Sequence, residues 1–283
     1  MPIDRATLLA WDFEPAAQEY THRDAILYAL GLGLGRDPTD LAELPFVYER
    51  ELLTLPTFAV TLASPGLWVR NPATGITWQK LVHSGQRSTF FRPLPSSGRV
   101  ISKARICEVW DRGVDKGAVL LIEREIKDEI SGEVYCRLEQ TLMLLADGGF
   151  GGQKPSPPEF QIPKRERDTM LSFDTFPGQA TLYRLNGDWN PLHIDPEVAA
   201  QAGFPRPILQ GYCTYGIAGI VACKAAKKEC SLLRSLECHF THPVLPGDRL
   251  EFLFWQSSDR EWLFQALVGD AVVLDRGRAG FSL

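Results

Sequence analysis

The chain has 283 residues, 45% of them hydrophobic and 23% charged, enough apolar material for one large or two ordinary globular domains with buried cores. Its 30 basic and 35 acidic residues are spread along the sequence for a net charge of −5, and no basic run of the kind that grips a nucleic-acid backbone is present. No apolar stretch approaches the roughly 20 residues of a membrane span, and residues 1–12 lack the basic flank and apolar core of a secretory signal. The expectation is a cytoplasmic protein that partners neither nucleic acid nor membrane.

In chain order, residues 23–34 place Ile26, Leu27, Leu30 and Leu34 at helical spacing and stop in a glycine-rich segment. Strand patterns follow at 57–62, 100–110, 118–126 and 134–145, the last three joined by turns DRGVDKG and KDEISGE, which predicts an antiparallel meander. Residues 148–167, rich in Gly, Pro and charge, read as a linker between two halves of similar size. The second half opens with a predicted strand at 180–185. It continues through a polar loop and a short helix at 197–202, for which Asp195 is the N-cap and Pro196 the first-turn proline. A long helix over about 212–228 is built from small residues, Gly216, Ala218, Gly219, Ala222, Ala225 and Ala226, so that other backbone can approach it closely. Alternation then returns through Leu236, Cys238 and Phe240, Leu250, Phe252 and Phe254, Trp262 to Val268, and Val272 and Leu274. The expected fold is α+β, with a helix clasped by an antiparallel sheet in each half. The six cysteines form no C-x-x-C pair and have no histidines at zinc-ligand spacing, so no metal and no cofactor is expected, and Cys223 and Cys230 read as small hydrophobes.

The chemistry concentrates between Tyr183 and Gly216. Asp188, Asn190 and His193 lie within six residues, and Pro191 prevents a helix from spacing them around a cylinder, so the loop can turn all three toward one pocket. Singly, Asp188 after Gly187 fits a turn and His193 a histidine near a helix start. Together they supply an acid and an imidazole just ahead of a helix opening at Gly211, whose backbone N–H would stabilise a developing oxyanion. Gly211 also fits a plain tight turn.

Tyr183-Arg184-Leu185-Asn186-Gly187-Asp188, Asn190-Pro191-Leu192-His193, Asp195-Pro196, Gly203-Phe204 and Pro207-Ile208-Leu209-Gln210-Gly211 form a continuous pattern. It resembles the signature of the MaoC-like (R)-specific enoyl-CoA hydratases, the hydratase 2 family. The likeness extends to Pro243–Asp248 and to Arg92-Pro93-Leu94-Pro95 in the first half. The resemblance implies a double hot-dog fold: an N-terminal repeat over 1–147 that has lost its catalytic loop and forms the acyl pocket, and a C-terminal repeat over 168–283 that keeps the loop. It implies hydration of a trans-2-enoyl-CoA to a (3R)-hydroxyacyl-CoA, with Asp188 and His193 catalytic, Gly211 at the thioester oxygen and Asn190 positioning, in a homodimer whose partner is the acyl-CoA substrate. Two departures stand beside it: Gln210 where the family has histidine, and Asn186 where it has serine or threonine. With His83 and Gln86, in a segment His83-Ser84-Gly85-Gln86 near the family's H-G-E-Q, these are candidate substrate-binding residues; the His83 segment reads equally as a pocket wall or a surface loop. Dehydration of a (3R)-hydroxyacyl thioester uses the same residues, and a non-catalytic acyl-CoA-binding module is the alternative outside enzymes.

Overall fold

A computed structural model describes residues 3–152 and 160–282; the central part of the linker, 153–159, lies outside the described residues. Helix α1 (Arg5–Leu9) and strand β1 (Ala16–Tyr20) lead to α2 (His22–Gly31), opened by a capping box between Thr21 and Asp24. The expected helix stops at Gly31 because Gly33, at φ 94°, closes it: Leu34 N–H returns to Ala29 O at 3.1 Å and Gly33 N–H to Leu30 O at 2.9 Å, a Schellman motif. A short α3 (Leu44–Val47) and four 3₁₀ turns precede β2 (Leu81–Phe90), β3 (Gly98–Ser102), β4 (Ala104–Asp111), β5 (Ala118–Asp128) and β6 (Val134–Leu144). The second half runs β7 (Thr169–Asp174), α4 (Gln179–Tyr183), α5 (Pro196–Gln201), α6 (Gly211–Ala226), β8 (Leu233–Phe240), β9 (Arg249–Ser258), β10 (Glu261–Val268) and β11 (Ala271–Phe281).

All the strands join one antiparallel sheet in the order β1-β3-β5-β6-β2-β8-β11-β10-β9-β7, with β4 added on β5. The halves meet at β2 and β8, where Gly85 pairs with His239 and Thr89 with Ser235. Outward from that seam each half repeats one plan. The strand after the helix is central, the last strand lies beside it, and the strand before the helix lies at the far edge. This is a double hot-dog architecture, and the sheet wraps α6, whose residues from Cys213 to Cys223 are all buried. A Cβ at Gly216 would stand 2.7 Å from Leu32 Cδ2 and from the Tyr28 hydroxyl, so α2 packs against the backbone of α6 itself.

Two expected strands are helical. Residues 57–62 belong to a 3₁₀ helix, Pro56–Thr61, wedged between α6 and β5: Thr57 Cγ2 lies 3.0 Å from where a Cβ of Gly219 would be, and Arg124 of β5 donates to the carbonyls of Val60, Leu62 and Ala63. Residues 180–185 form α4 and a 3₁₀ turn, Arg184–Asn186, because Gln179, Ala180 and Tyr183 bury one helical face. The edge strand of that half is β7, whose burial alternates at every residue from Thr169 to Asp174 as it pairs with β9. The run 100–110 breaks at Lys103 into β3 and β4. Strand β2 carried no apolar alternation to announce it, since Gln86 and Ser88 are buried ahead of Phe90 on its inward face.

Gly216→Ala forces a methyl group into the α2 contact. It lowers the unfolding free energy by about 2 kcal/mol, read from urea denaturation followed by circular dichroism.

Candidate active site

The loop between α4 and α5 is built by successive caps. Gly187, at φ 104°, ends the 3₁₀ turn and releases the chain into Asp188. Asn190 caps the next turn, Pro191–His193, its Oδ1 accepting the Leu192 N–H at 3.2 Å, while its own N–H donates to Asp188 Oδ1 at 3.2 Å. Asp195 then caps α5, accepting from the N–H groups of Glu197 at 2.8 Å and Val198 at 3.4 Å. Asp195 is therefore structural, and Asn190 fixes both the turn and the Asp188 carboxylate.

His193 is oriented from behind. Its Nδ1 lies 2.9 Å from the carbonyl oxygen of Ile208. A carbonyl only accepts, so Nδ1 carries a proton, and in the neutral tautomer this selects the lone pair is on Nε2. Nε2 faces Asp188 Oδ2 across 3.7 Å, too far for a direct hydrogen bond. The His193 side chain is 10% exposed and that of Asp188 35%, so the carboxylate forms the open side of the pair. A base and a carboxylate separated by slightly more than one hydrogen bond can share a proton through a third oxygen.

Gly211 begins α6, where its N–H has no carbonyl to reach within the helix and lies at the positive end of the helix dipole. A Cβ there would meet only Phe240 ring carbons at 3.5 Å and beyond, an ordinary contact, and its φ is not positive. Folding alone does not call for glycine at 211; what glycine provides is an uncovered N–H.

The remaining candidates divide. His83 comes close to this helix start, its ring centroid 4.9 Å from Tyr212 and 4.8 Å from Phe240, with Nε2 on Gly85 O at 2.9 Å. A bulge at Ser84, between the pairs His83–Leu142 and Gly85–Thr141, is what turns it there. Gln86 lies farther along β2, buried. Gln210 and Asn186 do not face the Asp188–His193 gap. Gln210 is fully buried with Nε2 on Ala180 O at 3.0 Å, and Asn186 Nδ2 donates to Tyr183 O at 2.9 Å against α2. Sequence reasoning missed Tyr212, Phe240 and Ile208. Ile208 contributes only a carbonyl, which any residue supplies and no pattern marks. It also passed over Trp189, 58% exposed beside Asp188 with the Arg184 guanidinium 4.6 Å from its ring centre. Burial pushes the Tyr212 phenol up to about 12 and the His83 imidazole down to about 4. Among the described residues no group of three or more His, Cys, Asp or Glu is placed to hold a metal.

Comparison with known proteins assigns both halves. Residues 159–274 match the MaoC like domain and residues 18–146 the MFE-2 hydratase 2 N-terminal domain. The chain is 35% identical to 3-hydroxyacyl-thioester dehydratase Y of Mycobacterium tuberculosis over 93% of each protein. It is 38% identical to the peroxisomal enoyl-CoA hydratase 2 of Arabidopsis thaliana, over 88% of this chain and 85% of that one. Among solved structures, a MaoC-like dehydratase from Phytophthora capsici superposes with a TM-score of 0.87 at 28% identity, covering 99% of this chain and 98% of its own. A Mycobacterium tuberculosis protein described as a double hotdog fold superposes with a TM-score of 0.57 at 16% identity, over 96% and 95%.

The depressed His83 imidazole makes a pH prediction. Below its unfolded value of 6.5 the unfolded chain binds the proton that the folded protein refuses. The His83 contribution to stability is therefore complete above pH 6.5 and is lost as the pH falls toward 4. In NMR titration the His83 ring signals stay at their neutral positions from pH 8 to pH 5, and His83→Phe flattens the decline of unfolding free energy across pH 6.5 to 4.

Proposed function

We propose, since the chain belongs to the MaoC-like hydratase 2 family, that it is a hydro-lyase adding water across the double bond of a trans-2-enoyl-CoA to give the (3R)-hydroxyacyl-CoA. The observation that carries this reading is the 3.7 Å gap between Nε2 of His193 and the Asp188 carboxylate, with Nδ1 held on the Ile208 carbonyl behind it. A water held between them gives up one proton to the pair as its oxygen joins the β-carbon, and the pair delivers a proton to the α-carbon, so the double bond is lost and no leaving group is needed. Charge that builds on the thioester oxygen meets the Gly211 N–H at the positive end of α6. Asn190 positions the carboxylate by its N–H bond to Oδ1.

The same groups catalyse the reverse dehydration, because both directions share one transition state; the dehydratase name of the mycobacterial relative favours keeping that direction beside the first. We further take residues 1–147 as the repeat that receives the acyl chain, 148–167 as the linker, and 168–283 as the catalytic repeat. His83 and Gln86 form part of the acyl wall, while Gln210 and Asn186 act from behind the site by holding α4. A homodimer working in the reducing cytoplasm completes the reading. In support of the reducing compartment, all six cysteines are free thiols; among the described residues no helix is long and apolar enough to cross a membrane.

Hydration of crotonyl-CoA and of longer and bulkier enoyl-CoAs, followed by loss of enoyl absorbance, tests the assignment. Asp188→Asn and His193→Ala each reduce kcat at least ~100-fold while circular dichroism and melting remain those of a folded protein. Binding of acyl-CoA with no turnover of any enoyl thioester would instead favour a non-catalytic binding module.

A further inference from the structure

The inner face of the sheet in the first half is polar where the acyl chain is placed. Side chains alternate along β2 so that Gln86, Ser88 and Phe90 turn inward. Gln86 stands directly opposite Gln140 of β6; one level on, Ser88 stands opposite Leu138, which faces Arg124 of β5. This row separates two apolar clusters, one holding Leu120 and Leu142, the other Ile126 and Cys136.

Two members of the row are already occupied. The Tyr215 hydroxyl lies 2.7 Å from Ser88 Oγ, and Arg124 is turned on the carbonyls of Val60, Leu62 and Ala63. The glutamines keep unfilled capacity. Gln86 is 2% exposed; its Nε2 donates to Arg87 O at 3.1 Å and to Ser88 Oγ at 3.4 Å, while its Oε1 has no donor. Gln140, half-buried beside it, has no hydrogen-bond partner for its amide among the described residues. A carbonyl oxygen shut in a core without a donor is costly, and leucine at 86 would have avoided that cost.

We infer that the Gln86–Gln140 pair recognises a hydroxyl group carried on the acyl chain, so that the substrate class is a hydroxylated enoyl thioester. This rests on the reading of the first half as the acyl site. The hydroxyl proton goes to Gln86 Oε1 and its oxygen accepts from Gln140 Nε2, which fills the orphaned acceptor of the first and one donor of the second. A carboxylate does not fit, since Gln86 presents an acceptor that repels an anion. Three residues earlier on the same strand, His83 touches Tyr212 beside Gly211. The glutamines therefore lie roughly 10 Å along β2 from the thioester end, well beyond the two carbons that react.

The test compares pairs of trans-2-enoyl-CoAs of equal chain length, one plain and one hydroxylated at successive distal carbons, with the wild-type protein and Gln86→Leu. The wild type favours the best hydroxylated member at least about tenfold in kcat/KM, and Gln86→Leu brings that ratio to about one. A wild-type ratio at or below one across the panel overturns the inference. So does a ratio unchanged in Gln86→Leu, which would mean that a buried water satisfies Oε1. Calorimetric binding of the corresponding saturated acyl-CoAs reads the same preference without chemistry. A hydroxyl preference in binding, with no turnover of any enoyl thioester, would sink the hydratase reading and leave this inference standing.

Discussion

Close approach to the backbone of α6 is the constraint on which the arrangement depends. The helix belongs to the second half, yet the residues that press on it at Gly216 and Gly219 are Leu32, Tyr28 and Thr57 of the first. Glycine at those positions lets the two halves share one core, which includes Tyr28, Phe58, Ile217 and Phe264 in a single cluster. Once α6 is fixed, its first turn is fixed, and with it the Gly211 N–H. The loop that carries Asp188 and His193 is referenced to the same helix, because the Ile208 carbonyl that orients His193 lies three residues before Gly211. A side chain at 216 would move α2 and α6 apart, and the displacement would reach the site through the sheet and the helix together.

The site also depends on groups that do not titrate. His193 is held by a neutral carbonyl and not by a second carboxylate, so its Nε2 is presented as a base without a buried ion pair behind it. Gln210, at the N-cap position of α6, fills the space behind Gly211 and ties the helix start to Ala180 of α4 through its amide. A glutamine there can position but cannot exchange a proton. In the proposed mechanism the proton work is thereby confined to Asp188 and His193, and the departure from the family pattern at 210 touches the placement of the proposed oxyanion donor and not the proposed acid–base pair.

What could be read from the sequence follows from which interactions are local. The Asp188–His193 loop was legible because its caps act over two or three residues: Asn190 on Leu192, Asp195 on Glu197 and Val198. Strands β8 to β11 were legible because each buries one apolar face, as at Leu250, Phe252 and Phe254. Residues 57–62 and 180–185 misled because their apolar spacing suits a short strand, and only partners distant in sequence, Arg124 for the first and α2 for the second, decide for a helix. The edge strand β7 alternates in burial at every residue, but it turns Thr169 inward and Met170 outward, so its sequence does not show that alternation. Strand β2 was illegible for a deeper reason. It is central, yet it buries Gln86 and Ser88, so no hydrophobic pattern marks it.

That illegible strand is where fold and specificity meet. A central strand is the safest place in a sheet for a polar side chain to be held rigidly, since hydrogen bonds on both sides fix its backbone: β2 pairs with β6 on one edge and β8 on the other. The same pairing places His83 against Tyr212 and Phe240 at the helix start and carries Gln86 and Ser88 away from it along the inner face. The seam strand thus reaches the reacting end with one residue and lines the interior beyond it with the next, while β8 contributes Phe240 to the same wall from the catalytic half. In the proposed reading the second copy of the fold holds the acid–base loop. The first copy, which in that reading has no such loop to hold, is free to vary the polarity of its inner face, and packing alone gives no reason for the unpaired oxygen of Gln86.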